Sequence, residues 1–145
     1  MPHRLHLQII SQESELLSQD VDQVIAPSSM GQIGVLPGHI SLFTSLDAGE
    51  LIYIAGSKNE VFAITGGFMD VNQDKVTVLA SSAIRAKDIN IKKVEEAKKK
   101  AQETMKNRLS ERDLQLAEAD LRKASLELKV ARKRHHQSST QEIKL

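Results

Sequence analysis

All seven glycines, all three prolines and every aromatic residue of this 145-residue chain lie before Arg85. A stretch of some sixty residues without one glycine or proline cannot be built like the stretch that precedes it. Charge divides at the same place. Up to Ile84 there are three Lys and Arg against nine Asp and Glu; from Arg85 on there are seventeen against ten. The near-neutral total of +1 therefore hides parts of −6 and +7. Opposite charge and different composition imply two structural units, 1–84 and 85–145. The chain has no cysteine, which excludes disulfides and thiolate metal sites and fits a reducing compartment. Its apolar runs fall far short of the ~20 residues that span a bilayer. The N-terminus, MPHRLHLQII, has neither a cleavable apolar signal nor an Arg/Ser-rich transit peptide. The expectation is a soluble chain that stays where it is made.

The first unit reads as β. Short apolar stretches recur at roughly 8–12-residue spacing between turn residues, as in sandwiches and barrels. Leu5, Leu7 and Ile9 alternate with His6 and Gln8, the pattern of a half-buried strand. Asp20–Ala26 reads as one strand that Pro27-Ser28-Ser29 ends. Leu51–Ala55 and Val61–Thr65 flank the turn Gly56-Ser57-Lys58-Asn59. Phe68–Val71 and Lys75–Ala80 flank Asn72-Gln73-Asp74. Ser28–Ser41, with Gly31, Gly34, Pro37 and Gly38, reads as a shaped loop that lets other backbones approach closely. The expected architecture is an antiparallel β-sandwich.

The second unit reads as helix. Ile91, Val94, Ala97, Ala101, Met105 and Leu109 recur at steps of three and four, with Asn90 as N-cap. Ser110-Glu111-Arg112-Asp113 then resembles a capping sequence with Asp in the usual place of Glu. Leu114, Ala117, Leu121, Ala124, Leu128 and Ala131 continue as a coiled-coil-like seam. Two helices of roughly twenty residues with a tight break between them form an antiparallel hairpin. The polar residues from Gln137 on are expected to fray. Leu116, Ala119, Leu126 and Val130 form a second apolar edge, to be covered by the rest of the chain or by a partner.

Chemistry of the common kinds is not legible. His3 and His6 should point to opposite faces of a strand, His135 and His136 diverge by about 100° on a helix, and His39 stands alone, so no metal site is expected. No phosphate-binding GxxxxGK[ST] loop and no G-x-S-x-G elbow occurs. Asp70 and Asp74 flank a turn, where Asp is at home for backbone reasons. No catalytic residue is expected. The basic helices raise nucleic acid as an option. Against it, no aromatic residue lies among the cations to stack on bases, and Glu95, Glu96, Glu103, Glu118, Asp120 and Glu127 are interleaved with them.

Two stretches carry a resemblance. Gly31-Gln32-Ile33-Gly34-Val35-Leu36-Pro37-Gly38-His39, continued by Ile40–Leu46, is similar to the G-x-x-G-V-L-P-G-H…L-x-T-x-L hallmark of ATP synthase epsilon subunits of bacterial type. Gly66-Gly67-Phe68-Met69-Asp70-Val71 followed by Val76–Ala80 resembles that family's second hallmark, and the Ala83-Ile84-Arg85 junction agrees. The resemblance implies a β-sandwich of about ten strands and two C-terminal helices. It implies a non-catalytic rotor component of the proton-translocating enzyme, on the cytoplasmic face of a bacterial cell membrane and reaching that membrane only through the complex. The sandwich would meet the gamma subunit and the c ring through Gly31, Gln32, Gly34, Leu36, Pro37, Gly38 and His39. Gln32 stands at a position often acidic in relatives, so a charge-based contact there is not implied.

In bacterial members the helices also inhibit ATP hydrolysis, leaving the sandwich to extend along gamma into the cavity of the alpha and beta subunits. Arg122, Lys123, Lys129, Arg132, Lys133 and Arg134 would then meet acidic residues there. The seam suits this: a buried Leu contributes ~1.5–3 kcal/mol and Ala much less, so release should cost only a few kcal/mol. Some relatives bind ATP through [IL]-D-x-x-R-A. Here Ile89 keeps the first position, but Asn90 replaces Asp, Lys93 replaces Arg and Val94 replaces Ala; Asn carries no charge and Lys lacks the planar double donor of Arg, so weak ATP binding or none is expected and no cofactor. Two other readings stay open: the same subunit with a static hairpin, and a basic coiled-coil nucleic-acid binder.

Overall fold

The computed structural model describes residues 3–107 and 110–143, with side chains through 134. The chain forms two compact units, Met1–Arg85 and Ala86–Leu145, so the division falls one residue beyond the composition break. Arg85 belongs to the first because its backbone pairs with Phe62 and its guanidinium lies 5.4 Å from the centre of the Phe62 ring.

The first unit contains β1 (Leu5–Ile10), β2 (Glu15–Val21), β3 (Gln23–Ser28), β4 (Gly31–Val35), β5 (Leu42–Ala55), β6 (Lys58–Asn72), β7 (Lys75–Ala80) and β8 (Ala83–Arg85). They join in the order β2-β1-β7-β6-β5-β3-β4, with β8 on β6. These are eight strands among the described residues, fewer than the resemblance implied, because two are long: β5 has 14 residues and β6 has 15. The segments Val61–Thr65 and Phe68–Val71, expected as separate strands, are one. On β6 the inward residues are Phe62 and Ile64, then Met69 and Val71, so the two-residue phase slips at Gly66-Gly67. On β5 it slips between Leu46 and Leu51. A strand that changes phase turns its other side to the core, and this lets one β5–β6 ribbon serve both layers. Gly67 permits it. Its φ is +141°, and a Cβ there would lie 1.9 Å from the Leu79 carbonyl oxygen.

All pairings are antiparallel except β1 with β7, which is parallel and corrects the wholly antiparallel expectation. Alternation says which side of a strand is buried but carries no record of its neighbour's direction. The strand expected over Asp20–Ala26 breaks at Asp22. That carboxylate accepts from the Gly56 N–H at 2.6 Å and from Arg4 Nε at 3.1 Å, tying the break to the two-residue β5–β6 turn. Lys58 and Asn59, expected in this turn, are already strand. The β6–β7 turn is Gln73-Asp74, both with positive φ, the type I′ form that suits strand twist. The core is a single cluster that includes Leu5, Leu7, Ile9, Leu51, Phe62, Ile64 and Met69.

The second unit holds a short 3-10 turn at Ala86–Asp88, α1 (Ile91–Lys106) and α2 (Glu111–Ile143), with α2 packed on α1 and on the turn. Both caps expected from sequence form: Asn90 Oδ1 accepts from Lys93 N at 3.2 Å, and Ser110 Oγ accepts from Asp113 N at 3.3 Å. The seam differs at two positions, Leu114 of α2, which is 38% exposed, and Ala97 of α1. Ala97 is exposed and Lys98 is half-buried, so the stripe runs Val94, Lys98, Ala101, Met105, the aliphatic stem of Lys98 covering what Ala97 was expected to cover. α1 ends at Lys106, and Leu109 lies outside the described residues. α2 has 33 residues and passes Gln137, where fraying was expected. Ala117, Ala124, Leu128, Val130 and Ala131 are buried, whereas Leu116 and Ala119 of the second edge are exposed.

Candidate functional site

The segment read as the loop Ser28–Ser41 is mostly a hairpin. β4 pairs with β3 through a two-residue turn, Ser29-Met30, and forms one edge of the sheet. Gly31, Gln32 and Gly34 are exposed along it, and Val35 is buried. A short connection then leads to β5. The Leu36 carbonyl accepts from the His39 N–H at 3.1 Å, Pro37 takes the second position and Gly38 has φ +83°. That is a type II turn, and the Pro-Gly pair in the sequence is its signature. The Gly38 N–H donates to Asp74 Oδ1 at 2.7 Å. His39 Nδ1 lies 2.7 Å from the Ile40 carbonyl, which can only accept, so the ring proton is on Nδ1. The seven residues singled out from sequence thus form one continuous edge-and-turn.

Beside them the structure exposes residues that sequence reading passed over. Phe43, Phe68 and Leu79 stand on β5, β6 and β7 and share the outer face, Phe68 directly opposite Leu79. Phe43 and Phe68 stack with ring centres 5.7 Å apart and planes 11° apart, yet remain 68% and 49% exposed. Ile40 and Met30 are exposed by 79% and 93%. A stacked aromatic pair open to water, with Leu79 next to it, has the composition of an interface centre. The signal was present in the sequence: each of the three occupies the outward phase of its strand, where a polar residue is usual.

On β1 and β2, His6 Nδ1–H donates to Asp20 at 2.9 Å and Nε2 accepts from Ser18 Oγ at 3.0 Å. The order is that of a hydrolase triad, but all three groups sit on an open strand face where water competes for each bond, and what they do is tie β1 to β2. His3 bonds to Asp74 Oδ2. No set of three or more metal-ligating side chains comes together among the described residues. Nor is any helix there long and apolar enough to cross a membrane.

In the helical unit Arg122, Lys123, Lys129, Arg132, Lys133 and Arg134 are all exposed on α2. Arg132 reaches back to Glu95 of α1 at 3.4 Å. Glu127 carries a carboxyl raised above its ordinary value by burial, a shift the nearby Lys123 partly offsets. Of the residues set against the ATP motif, Ile89 is buried, while Asn90 and Lys93 are exposed and engaged with each other in the helix cap. A groove of about 410 Å3 on this unit is lined instead by Lys92, Glu95, Lys98, Lys99, Leu128 and Arg132, among others, with cations and carboxylates mixed.

Residues 4–86 match the β-sandwich domain of the ATP synthase delta/epsilon chain. The ATP synthase epsilon chain of Nitratidesulfovibrio vulgaris (strain Miyazaki F) is 43% identical over 97 residues, which is 67% of this chain and 72% of that one. The epsilon chain of Chloroflexus aurantiacus is 42% identical over 94 residues, 65% of this chain and 68% of that one. Among solved structures, a chain of the Euglena gracilis mitochondrial ATP synthase OSCP/F1/c-ring assembly superposes with a TM-score of 0.64 at 22% identity, covering 91% of this chain and 79% of its own. A chain of the Tetrahymena thermophila mitochondrial central stalk and c-ring gives 0.61 at 13%, covering 88% and 96%. Those two show a shared fold. With the family match over more than half its length and with these epsilon relatives, this chain belongs to the ATP synthase epsilon family.

Proposed function

We propose that this central-stalk epsilon chain of an F-type ATP synthase works as a non-catalytic coupling piece. Its sandwich fastens gamma to the c ring, and its hairpin restrains ATP hydrolysis. The observation that carries the first half is the outward apolar face of Phe43, Phe68 and Leu79 beside the Leu36–His39 turn. Gamma covers the aromatic face, and the β4 edge and turn meet the c ring. The chain reaches the cytoplasmic side of a bacterial membrane only through these contacts, and it takes no nucleic acid and no cofactor. Replacing Phe43 with Ser should weaken co-purification with gamma and the c ring roughly ten- to hundredfold, the value of one buried aromatic ring. Unchanged recovery would remove the assignment of that face.

The hairpin half rests on the seam. Its buried residues are mostly alanines, so the helices part at small cost, and an extended α2 carries six exposed cations to acidic residues of the alpha and beta subunits. A second reading, a static brace, is favoured by the Glu95–Arg132 tie between the helices. ATP hydrolysis by the assembled head, measured with the whole chain and with a chain ending at Arg85, separates the two. Faster hydrolysis with the shortened chain supports restraint, and equal rates leave only the brace.

A further inference from the structure

We propose that Asp74 is the positioning residue of the c-ring-facing turn, holding the Pro37–Gly38 peptide in one of its two orientations. The proposal deepens the functional reading above and rests on it for the identity of the partner. Type I and type II turns differ by roughly half a rotation of their middle peptide plane. Pro37 tolerates both, and Gly38 supplies the positive φ that type II needs without excluding type I, so the pair favours the observed orientation and a further contact holds it. In the observed turn the Gly38 N–H points at Asp74 Oδ1, 2.7 Å away. After a flip it would point the opposite way and the carboxylate would lose it. The peptide is trans, so with its N–H on Asp74 the Pro37 carbonyl faces the other way, away from the β6–β7 turn. It is thus presented as an acceptor for a hydrogen-bond donor of the c ring.

Asp74 is fitted to this by its own anchoring. It sits in the tight turn between β6 and β7 with φ +63°, and its carbonyl accepts from the His6 N–H of β1 at 2.8 Å. Its second carboxylate oxygen is engaged by His3. The carboxylate therefore refers the exposed turn to the central strands β1 and β7, although 36 positions separate it from Gly38 in sequence. Nothing in Gly38 itself supplies that reference, since no atom would lie within 4 Å of a Cβ there.

Asp74→Gly removes the acceptor and keeps the positive φ comfortable; Asp74→Asn keeps an acceptor oxygen and also accepts positive φ. Two measurements on the full chain decide the matter. The first is exchange of the Gly38 amide proton in the free protein. It should quicken about tenfold in Asp74→Gly, the worth of a hydrogen bond to a charged group, and return part of the way in Asp74→Asn, whose amide oxygen accepts a weaker bond. The second is binding to membranes holding gamma and the c ring, which should weaken about tenfold in Asp74→Gly and recover in Asp74→Asn. An unchanged Gly38 amide, or full binding with that amide released, overturns the proposal. Failure of the unsubstituted chain to bind those membranes would instead overturn the functional reading, and amide exchange would still decide what Asp74 does to the turn.

Discussion

The two units bury apolar surface in different currencies of shape. The sandwich core is made of branched and aromatic residues, among them Leu5, Ile9, Leu51, Phe62 and Ile64, each essentially without solvent exposure. The hairpin buries Ala101, Ala117, Ala124 and Ala131, with Val94, Leu128 and Val130 as its larger members. Each large core residue contributes about 1.5–3 kcal/mol, and Ala far less. One region is therefore built to hold a shape and the other to let go of one. The coupling role and the retractable brake proposed above would need both in one chain.

The comparison can be broken most forcefully in the sandwich. Gly67→Ala sets a Cβ against the Leu79 carbonyl at a backbone angle that L-residues rarely adopt. We expect it to cost more than about 3 kcal/mol, read as a lowered midpoint in chemical unfolding. In the hairpin, Leu128→Ala removes the largest buried side chain of the seam and should cost roughly 2–3 kcal/mol. Amide exchange should then quicken in α1 and α2 while β1, β6 and β7 keep their protection. Equal loss in both regions would mean that the units unfold as one and that the hairpin is no easier to release than the sandwich.

Acid should sharpen the same contrast, because the two units respond with opposite sign. Asp22 is held below its ordinary 3.8, first by the Gly56 N–H and further by Arg4. Its contribution to the sandwich is present above about pH 3.8 and is lost as pH falls through the lower folded value. A carboxyl titration by NMR should place Asp22 below 3.8, and Asp22→Asn should shrink the acid-induced drop in melting temperature. Glu127 is displaced the other way, raised above 4.5 by burial. Stability of the hairpin should fall as pH rises from about 4.5 to its folded value. Glu127→Gln should accordingly stabilise α2 at neutral pH by a few tenths of a kcal/mol at roughly surface-like screening. A destabilised hairpin in that variant would mean that the charge of Glu127 has a partner worth more than its burial costs.

Much of this molecule was legible in the residues. Alternation located β1, the Asn72-Gln73-Asp74 turn placed β7 after it, and Asn90 and Ser110 marked helix starts that their hydrogen bonds confirm. The two glycine-rich hallmarks led to the family. The misreadings share a cause. Gly66-Gly67 reads locally as a break between strands, but ladders on both sides carry β6 through it. Ala97 fits a three-and-four count, but the rotation of α1 that packs best buries the stem of Lys98 instead. Phe43, Phe68 and Leu79 were not singled out, because a large apolar residue marks a surface only once the phase of its strand shows that it faces outward.

The sequence by itself determined the kind of structure on each side of residue 85, since backbone preference, turn chemistry and periodicity act over a few neighbours. Tertiary structure alone decided that β1 runs parallel to β7, that one long ribbon serves two layers, and that Asp74 reaches the Gly38 amide. Those depend on which distant segments meet, and a contact between residues far apart in the chain leaves no local pattern from which to read it.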